Sequence, residues 1–170
     1  MVDNANDILD IDITYITARG KWYLYSWKGD ENKSGGLVYN IGIHLFDLLC
    51  CLLGYPEKCE VHIRENNVAA GYLEFKKARV KWLLSIDDKL IPRSCVNKSI
   101  LRSVSINGKM IDMSKGFTDL HTVSYQNILS GNGFHIEDTK NSLILVDTIK
   151  NIKISGINEH SHYLLIQNNK

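Results

Sequence analysis

Three polar side chains interrupt the most apolar stretch of the chain. Between Ser34 and Gly54 it reads SGGLVYNIGIHLFDLLCCLLG, and within it Asn40, His44 and Asp47 stand at i, i+4 and i+7. On a 3.6-residue helix these positions form one stripe, so an amide, an imidazole and a carboxylate share a face. Imidazole is the side chain that changes charge near neutral pH. Burying such a stripe costs free energy unless every polar group finds a partner. The stripe therefore either lines something polar or is a set of structural groups bonded within the core. Gly42 favours the first reading. A mid-helix glycine costs roughly 1 kcal/mol against alanine, and the side chain missing beside His44 lets a backbone or a ligand come close.

A second group of candidate residues precedes the stretch. Arg19, Lys21 and Lys28 are interleaved with Trp22, Tyr23, Tyr25 and Trp27. Cations among aromatic rings form either a snorkelling rim on a sheet edge or a surface that grips a base, a sugar and a phosphate. The polar loop Lys28–Ser34 delivers the chain directly to the polar-striped helix, which favours the gripping surface. Two other motifs carry less. His160-Ser161-His162 would need a third ligand to hold a metal and reads as a solvated turn. Gly131-Asn132-Gly133 follows no strand and lacks the rest of a phosphate-binding fingerprint.

The elements that must position these residues follow from periodicity. Residues 1–10 read as a lead-in and 11–170 as one domain. From Ile11 the chain alternates as a strand, with Ile11, Ile13 and Tyr15 on one side and Asp12, Thr14 and Ile16 on the other. Lys21–Trp27 reads as an extended run, and a helix of about four turns spans Leu37–Leu53, closed by Gly54. Strands are expected at Lys58–Arg64, Val68–Phe75 and Arg79–Ile86, joined by hairpins. A longer loop over one sheet end follows at Lys89–Lys98. Asn107-Gly108, the strongest turn signal, joins Ser99–Ile106 to Lys109–Asp112. Helices follow at Asp119–Leu129, with Leu120, Val123 and Ile128 on its face, and from Glu137-Asp138 to about Ile152, packing through Leu143, Val146 and Ile149. The fold class is α+β: an open, mainly antiparallel sheet with helices on one face. Val80, Trp82 and Leu84 lie on one side of their strand and Leu83 on the other. The second face is thus expected to be buried against another copy, in a homodimer or homotetramer through the sheet face.

Composition narrows the class. A chain of 170 residues, 44% hydrophobic with a formal net charge of +1, has enough apolar content for a core and no polyelectrolyte character. No clustered Lys/Arg footprint for nucleic acid occurs. The apolar run is too short for a membrane span and carries His44 and Asp47. Cys50, Cys51, Cys59 and Cys95 have no CxxC spacing and read as reduced thiols. With a polar, acidic N-terminus unlike a secretory leader, the expected location is cytoplasmic.

The motifs also carry a resemblance. Gly35-Gly36 through Asn40, Gly42, His44 and Asp47 resembles the signature helix of the Gfo/Idh/MocA oxidoreductases. Asp12–Tyr23, Ser26–Asp30 and the run from His121-Thr122 through Ser124-Tyr125 to Glu137-Asp138 resemble the branch that oxidises UDP-N-acetylglucosaminuronate at C3. The resemblance covers about Asp12 to Lys153. It implies that His44 faces the hydroxyl being oxidised and does general acid–base work. Asn40, standing where the wider family commonly has Asp, would orient the sugar. Asp47 would hold the imidazole tautomer or cap a core network. Arg19, Trp22, Tyr23 and Lys28 would meet the uronate or the UDP, and Tyr125 and His121 would close the pocket.

Family members join a Rossmann domain for the nicotinamide cofactor to an α+β domain, and this chain resembles only the second. It contains no strand–GxGxxG–helix unit and no Glu-Lys-Pro motif with the family's catalytic lysine. NAD(H) is therefore implied for the full enzyme through a Rossmann domain absent from this chain. None is expected to bind here, and the chain alone is expected to be inactive. The alternative is a non-catalytic dimerisation or binding module left after loss of the Rossmann domain. A metal-dependent hydrolase built on His44 and Asp47 has no ligand spacing to support it.

Overall fold

The computed structural model describes residues 8–92, 100–111 and 119–168. Its centre is a six-stranded sheet made of β1 (Leu9–Thr17), β2 (Lys58–Arg64), β3 (Val68–Phe75), β4 (Ala78–Ser85), β5 (Ile100–Ile106) and β6 (Lys109–Ile111). The spatial order is β2-β3-β4-β1-β5-β6. β1 runs parallel to β4, and every other neighbouring pair is antiparallel. The parallel pair arises because the chain leaves β1 at mid-sheet, crosses to the far edge and returns through two hairpins. Residues 1–7 of the expected lead-in, 93–98 of the expected loop with Cys95, and Ser99 and Asp112 of the expected hairpin lie outside the described residues.

The helices are α1 (Lys21–Tyr25), α2 (Glu31–Ser34), α3, α4 (Leu120–Leu129), α5 (Lys140–Asn151) and α6 (Tyr163–Asn168). α3 opens as a π turn over Val38–Gly42 and continues as an α-helix over Ile43–Leu53. Against expectation, the run from Lys21 is not extended. Only Tyr23 of the five α1 residues is buried, so the aromatics do not alternate between core and solvent, and one helical turn satisfies them.

α3 and α5 cover one face of the sheet. Phe46, Leu49, Leu145 and Ile149 meet Ile13, Val80, Trp82 and Leu84 in the main core. Phe46 stands edge-on to Trp82, with centroids 5.2 Å apart and planes at 87°. Gly42 belongs to this contact. A Cβ there would come within 2.6 Å of the Phe46 ring and 2.8 Å of Leu84, so the missing side chain makes room for Phe46 of α3 itself and for Leu84 of β4. On α5 the buried stripe is Ser142, Leu145, Val146 and Ile149, while the expected Leu143 is exposed. The segment Glu31–Leu53 has the length and hydropathy of a span, but its apolar stripe is core against the sheet.

The outer face departs most from expectation. Leu83 is fully buried within this chain, packed with Ile16 and Ala70 under Leu164 and Leu165 of α6. A strand apolar on both sides is thus satisfied without a second copy. His160-Ser161-His162 is no solvated turn either. His162 is 0% exposed, its Nε2 lies 3.0 Å from Thr14 Oγ1, and its Nδ1 accepts the Leu164 amide at 3.3 Å. The His160 ring stacks on Tyr72 at 4.5 Å. The Glu60 carboxylate gathers Asn158 at 3.0 Å, His62 at 3.2 Å, His160 at 3.3 Å and Lys58 at 2.6 Å. These contacts clasp the C-terminal segment to the sheet.

α4 is the other departure. Leu120, Val123 and Ile128, expected as a packing stripe, are all exposed, and α4 buries none of its residues.

Candidate functional site

The polar stripe divides into three environments. Asn40 lies in the π turn of α3, a local insertion that recurs at functional sites. Its Nδ2 donates towards the carbonyls of Gly36 at 3.1 Å, Lys28 at 3.4 Å and Ser34 at 3.5 Å. One turn on, His44 is exposed and makes no hydrogen bond among the described residues. Asp47 is half-buried, with Oδ1 2.7 Å from Ser142 Oγ on α5. That hydroxyl also lies 2.7 Å from the Thr139 carbonyl, and its one proton serves one acceptor at a time. Of the two roles anticipated for Asp47, only the core network has a hydrogen bond in the structure. Burial, reinforced by Asp47, pushes the Cys50 thiol up to about 11, which leaves it protonated and unreactive.

The cation-and-aromatic segment stands beside the start of α3. Trp22 and Trp27 are each 58% exposed, and Lys28 Nζ lies 5.8 Å from the Trp27 ring centroid. Arg19 is exposed, whereas Tyr23 is buried with its hydroxyl unpartnered. Burial raises the Tyr23 pKa and the nearby Arg19 charge opposes that rise. Tyr23 and Lys28 also line a small pocket with Glu31, Arg64, Glu65 and Lys150. His121 and Tyr125 are carried on α4, exposed, with no hydrogen bond to His44 or Asn40.

Three participants escaped sequence reasoning. Ser142 is 95 residues from Asp47, and no short-range pattern signals that pairing. Arg64 and Lys150 join Tyr23 and Lys28 only because the β2–β3 hairpin and the end of α5 fold next to the loop. The arrangement offers an unencumbered imidazole one turn on from Asn40, whose amide meets the Lys28 carbonyl of the exposed cation-and-aromatic segment. It can exchange a proton with a bound ligand and hold a flat or anionic group nearby. The Gly131-x-Gly133 pair follows α4 and not a strand, so it is not the turn of a phosphate-binding strand–turn–helix.

Comparison with known proteins gives this geometry its context. Residues 6–88 match the model of an oxidoreductase family's C-terminal alpha/beta domain. The chain is similar to the WlbA (WbpB) dehydrogenase of Thermus thermophilus in complex with NAD and alpha-ketoglutarate. The identity is 44%, the TM-score 0.85, and 91% of this chain and 51% of that one are covered. Against the same dehydrogenase with NAD and UDP-GlcNAcA the values are 42%, 0.85, 92% and 51%. The WlbA dehydrogenase of Bordetella pertussis, with NADH and UDP-GlcNAcA, shares the fold at 16% identity and a TM-score of 0.58, over 83% of this chain and 51% of that one. The chain thus spans about half the length of these dehydrogenases. By its six-stranded open sheet, its helix layer and these matches, the chain belongs to the Gfo/Idh/MocA oxidoreductases, as their C-terminal α/β domain.

Proposed function

We propose that this chain is the substrate-binding half of an NAD-dependent sugar-nucleotide dehydrogenase that oxidises C3 of a UDP-N-acetyl-hexosaminuronate. One observation carries the reading. At 44% and 42% identity over nine-tenths of its length, the chain matches a dehydrogenase seen with NAD and with UDP-GlcNAcA. Oxidising a secondary alcohol to a ketone removes a proton from oxygen and a hydride from carbon. The proton is the part this chain handles, and His44 receives it at the C3 hydroxyl. Its exposed, unpartnered ring suits a group that must reach substrate. Arg19, Trp22 and Lys28 meet the anionic and flat parts of the sugar nucleotide, with Tyr23 lining the pocket beside them, and His121 and Tyr125 close the site from α4.

Hydride acceptance belongs to a cofactor-binding domain outside this chain, and the exposed apolar side of α4 is the surface it covers. Self-association uses the part of the outer sheet face that α6 leaves open, and the protein works in the cytoplasm. Calorimetry with UDP-GlcNAcA on this chain tests the first element: micromolar binding is expected, and a flat titration overturns the reading. NAD titrated alone should give no heat.

A further inference from the structure

Asn40 is the one member of the polar stripe whose donors are already engaged, and all three acceptors belong to the segment leading into α3. Nδ2 faces the carbonyls of Lys28, Ser34 and Gly36. Ser34 Oγ donates to the same Lys28 carbonyl at 2.8 Å and accepts the Gly36 amide at 3.0 Å. Upstream, Ser26 Oγ donates to the Tyr23 carbonyl at 2.7 Å and accepts the Lys28 amide at 3.3 Å. The segment from Tyr23 to Gly36 is therefore tied at the Lys28 carbonyl, whose two lone pairs take one donor from Ser34 and one from Asn40. That tie fixes Trp27 and Lys28, the exposed indole and the cation.

We infer that Asn40 is a positioning residue, holding the Trp27–Lys28 loop in place for ligand, and that its amide group does not itself grip the sugar. A carboxylate at this position has no hydrogen to donate and would face three carbonyl dipoles. The amide is thus required by the loop. The ligand side of this inference rests on the proposed function; the loop side does not.

The experiment separates the two. Backbone hydrogen exchange over residues 26–36 and calorimetric titration with UDP are measured on the 170-residue chain and on Asn40→Asp, Asn40→Ala and Ser34→Ala. Loss of the tie should speed exchange of the loop amides about tenfold and weaken UDP binding by a similar factor, leaving exchange in β3 and β4 unchanged. Lys76→Ala, an exposed change in the β3–β4 turn, should move neither the loop exchange nor the UDP affinity. Because Asn40 and Ser34 share one carbonyl, the double variant should fall short of the summed single effects. Loop exchange within twofold of wild type in Asn40→Asp and Asn40→Ala overturns the inference, even if UDP affinity drops, since Asn40 would then act on ligand directly. Additive effects in the double variant overturn it too. Wild-type chain that does not bind UDP overturns the proposed function, and loop exchange then decides the positioning role alone.

Discussion

His44 and Asp47 sit three residues apart on one helix, yet their environments call for opposite experimental signatures. The His44 ring is exposed and unpartnered, so His44→Ala should change stability by no more than about 0.5 kcal/mol in a denaturant melt. With a cofactor-binding domain supplied and UDP-GlcNAcA as substrate, the same change should lower turnover by roughly 100-fold if the ring moves the C3 proton. Asp47 accepts from Ser142, a side chain 1% exposed. Asp47→Ala removes a hydrogen bond that ties α3 to α5 and should cost about 1–2 kcal/mol, with turnover per folded molecule little changed. A large turnover loss in Asp47→Ala at unchanged stability would assign the carboxylate to the imidazole tautomer instead. Spacing placed both residues on one face, but which one is committed to the core depends on a hydroxyl 95 residues away, which spacing does not encode.

At the scale of elements, α3 shows how far local pattern reaches. Its apolar run, the glycine stop and the strands β2, β3 and β4 are legible because periodicity and turn chemistry are local. What the pattern did not supply was the surroundings of Gly42: Phe46, one turn on in the same helix, and Leu84 of β4 stand where a Cβ would be, and the second contact is made only once the helix meets the sheet. Two effects compete in Gly42→Ala. Helix propensity favours alanine by about 1 kcal/mol, while forcing a methyl against two buried side chains typically costs 1–3 kcal/mol. The helix is already held by its packing, so overpacking should win and the variant should melt below wild type. An unchanged or raised melting temperature would return the glycine to the ligand side of the helix. α4 gives the converse case. Its apolar periodicity is real, but Leu129 is 87% exposed and Phe134 just beyond it 84%. Leu129→Asp should therefore leave the melting temperature of this chain where it is and should weaken association with a supplied cofactor domain, as read by sedimentation of the mixture.

At the scale of the whole molecule, the outer face is closed by a C-terminal clasp whose strength depends on pH. Burial, aided by the Lys81 charge, holds the His162 pKa at about 4, against 6.5 in an exposed ring. Thr14 faces its Nε2, the Leu164 amide faces its Nδ1, and the Tyr163 ring stacks at 4.7 Å, so among the described residues no carboxylate meets the ring to offset a proton. Between pH 6.5 and about 4 the unfolded chain takes up a proton that the folded chain refuses, and acidification costs stability. A gap of this size is worth about 3 kcal/mol when fully developed. Glu60 extends the loss to lower pH. Burial alone would raise its pKa, but hydrogen bonds from Lys58, Asn158, His62 and His160 overcome that and hold it at about 2. The folded carboxylate then stays charged below pH 4.5, where the unfolded one protonates, so stability falls again from there towards pH 2. The two groups act in succession and in the same direction. Denaturant melts from pH 7 to pH 3 should show stability declining through both windows. The slope above pH 4.5 should flatten in His162→Gln and the slope below it in Glu60→Gln, whatever each substitution costs at pH 7. A wild-type chain equally stable at pH 7 and pH 4.5 would mean that the clasp opens readily and that His162 titrates in water.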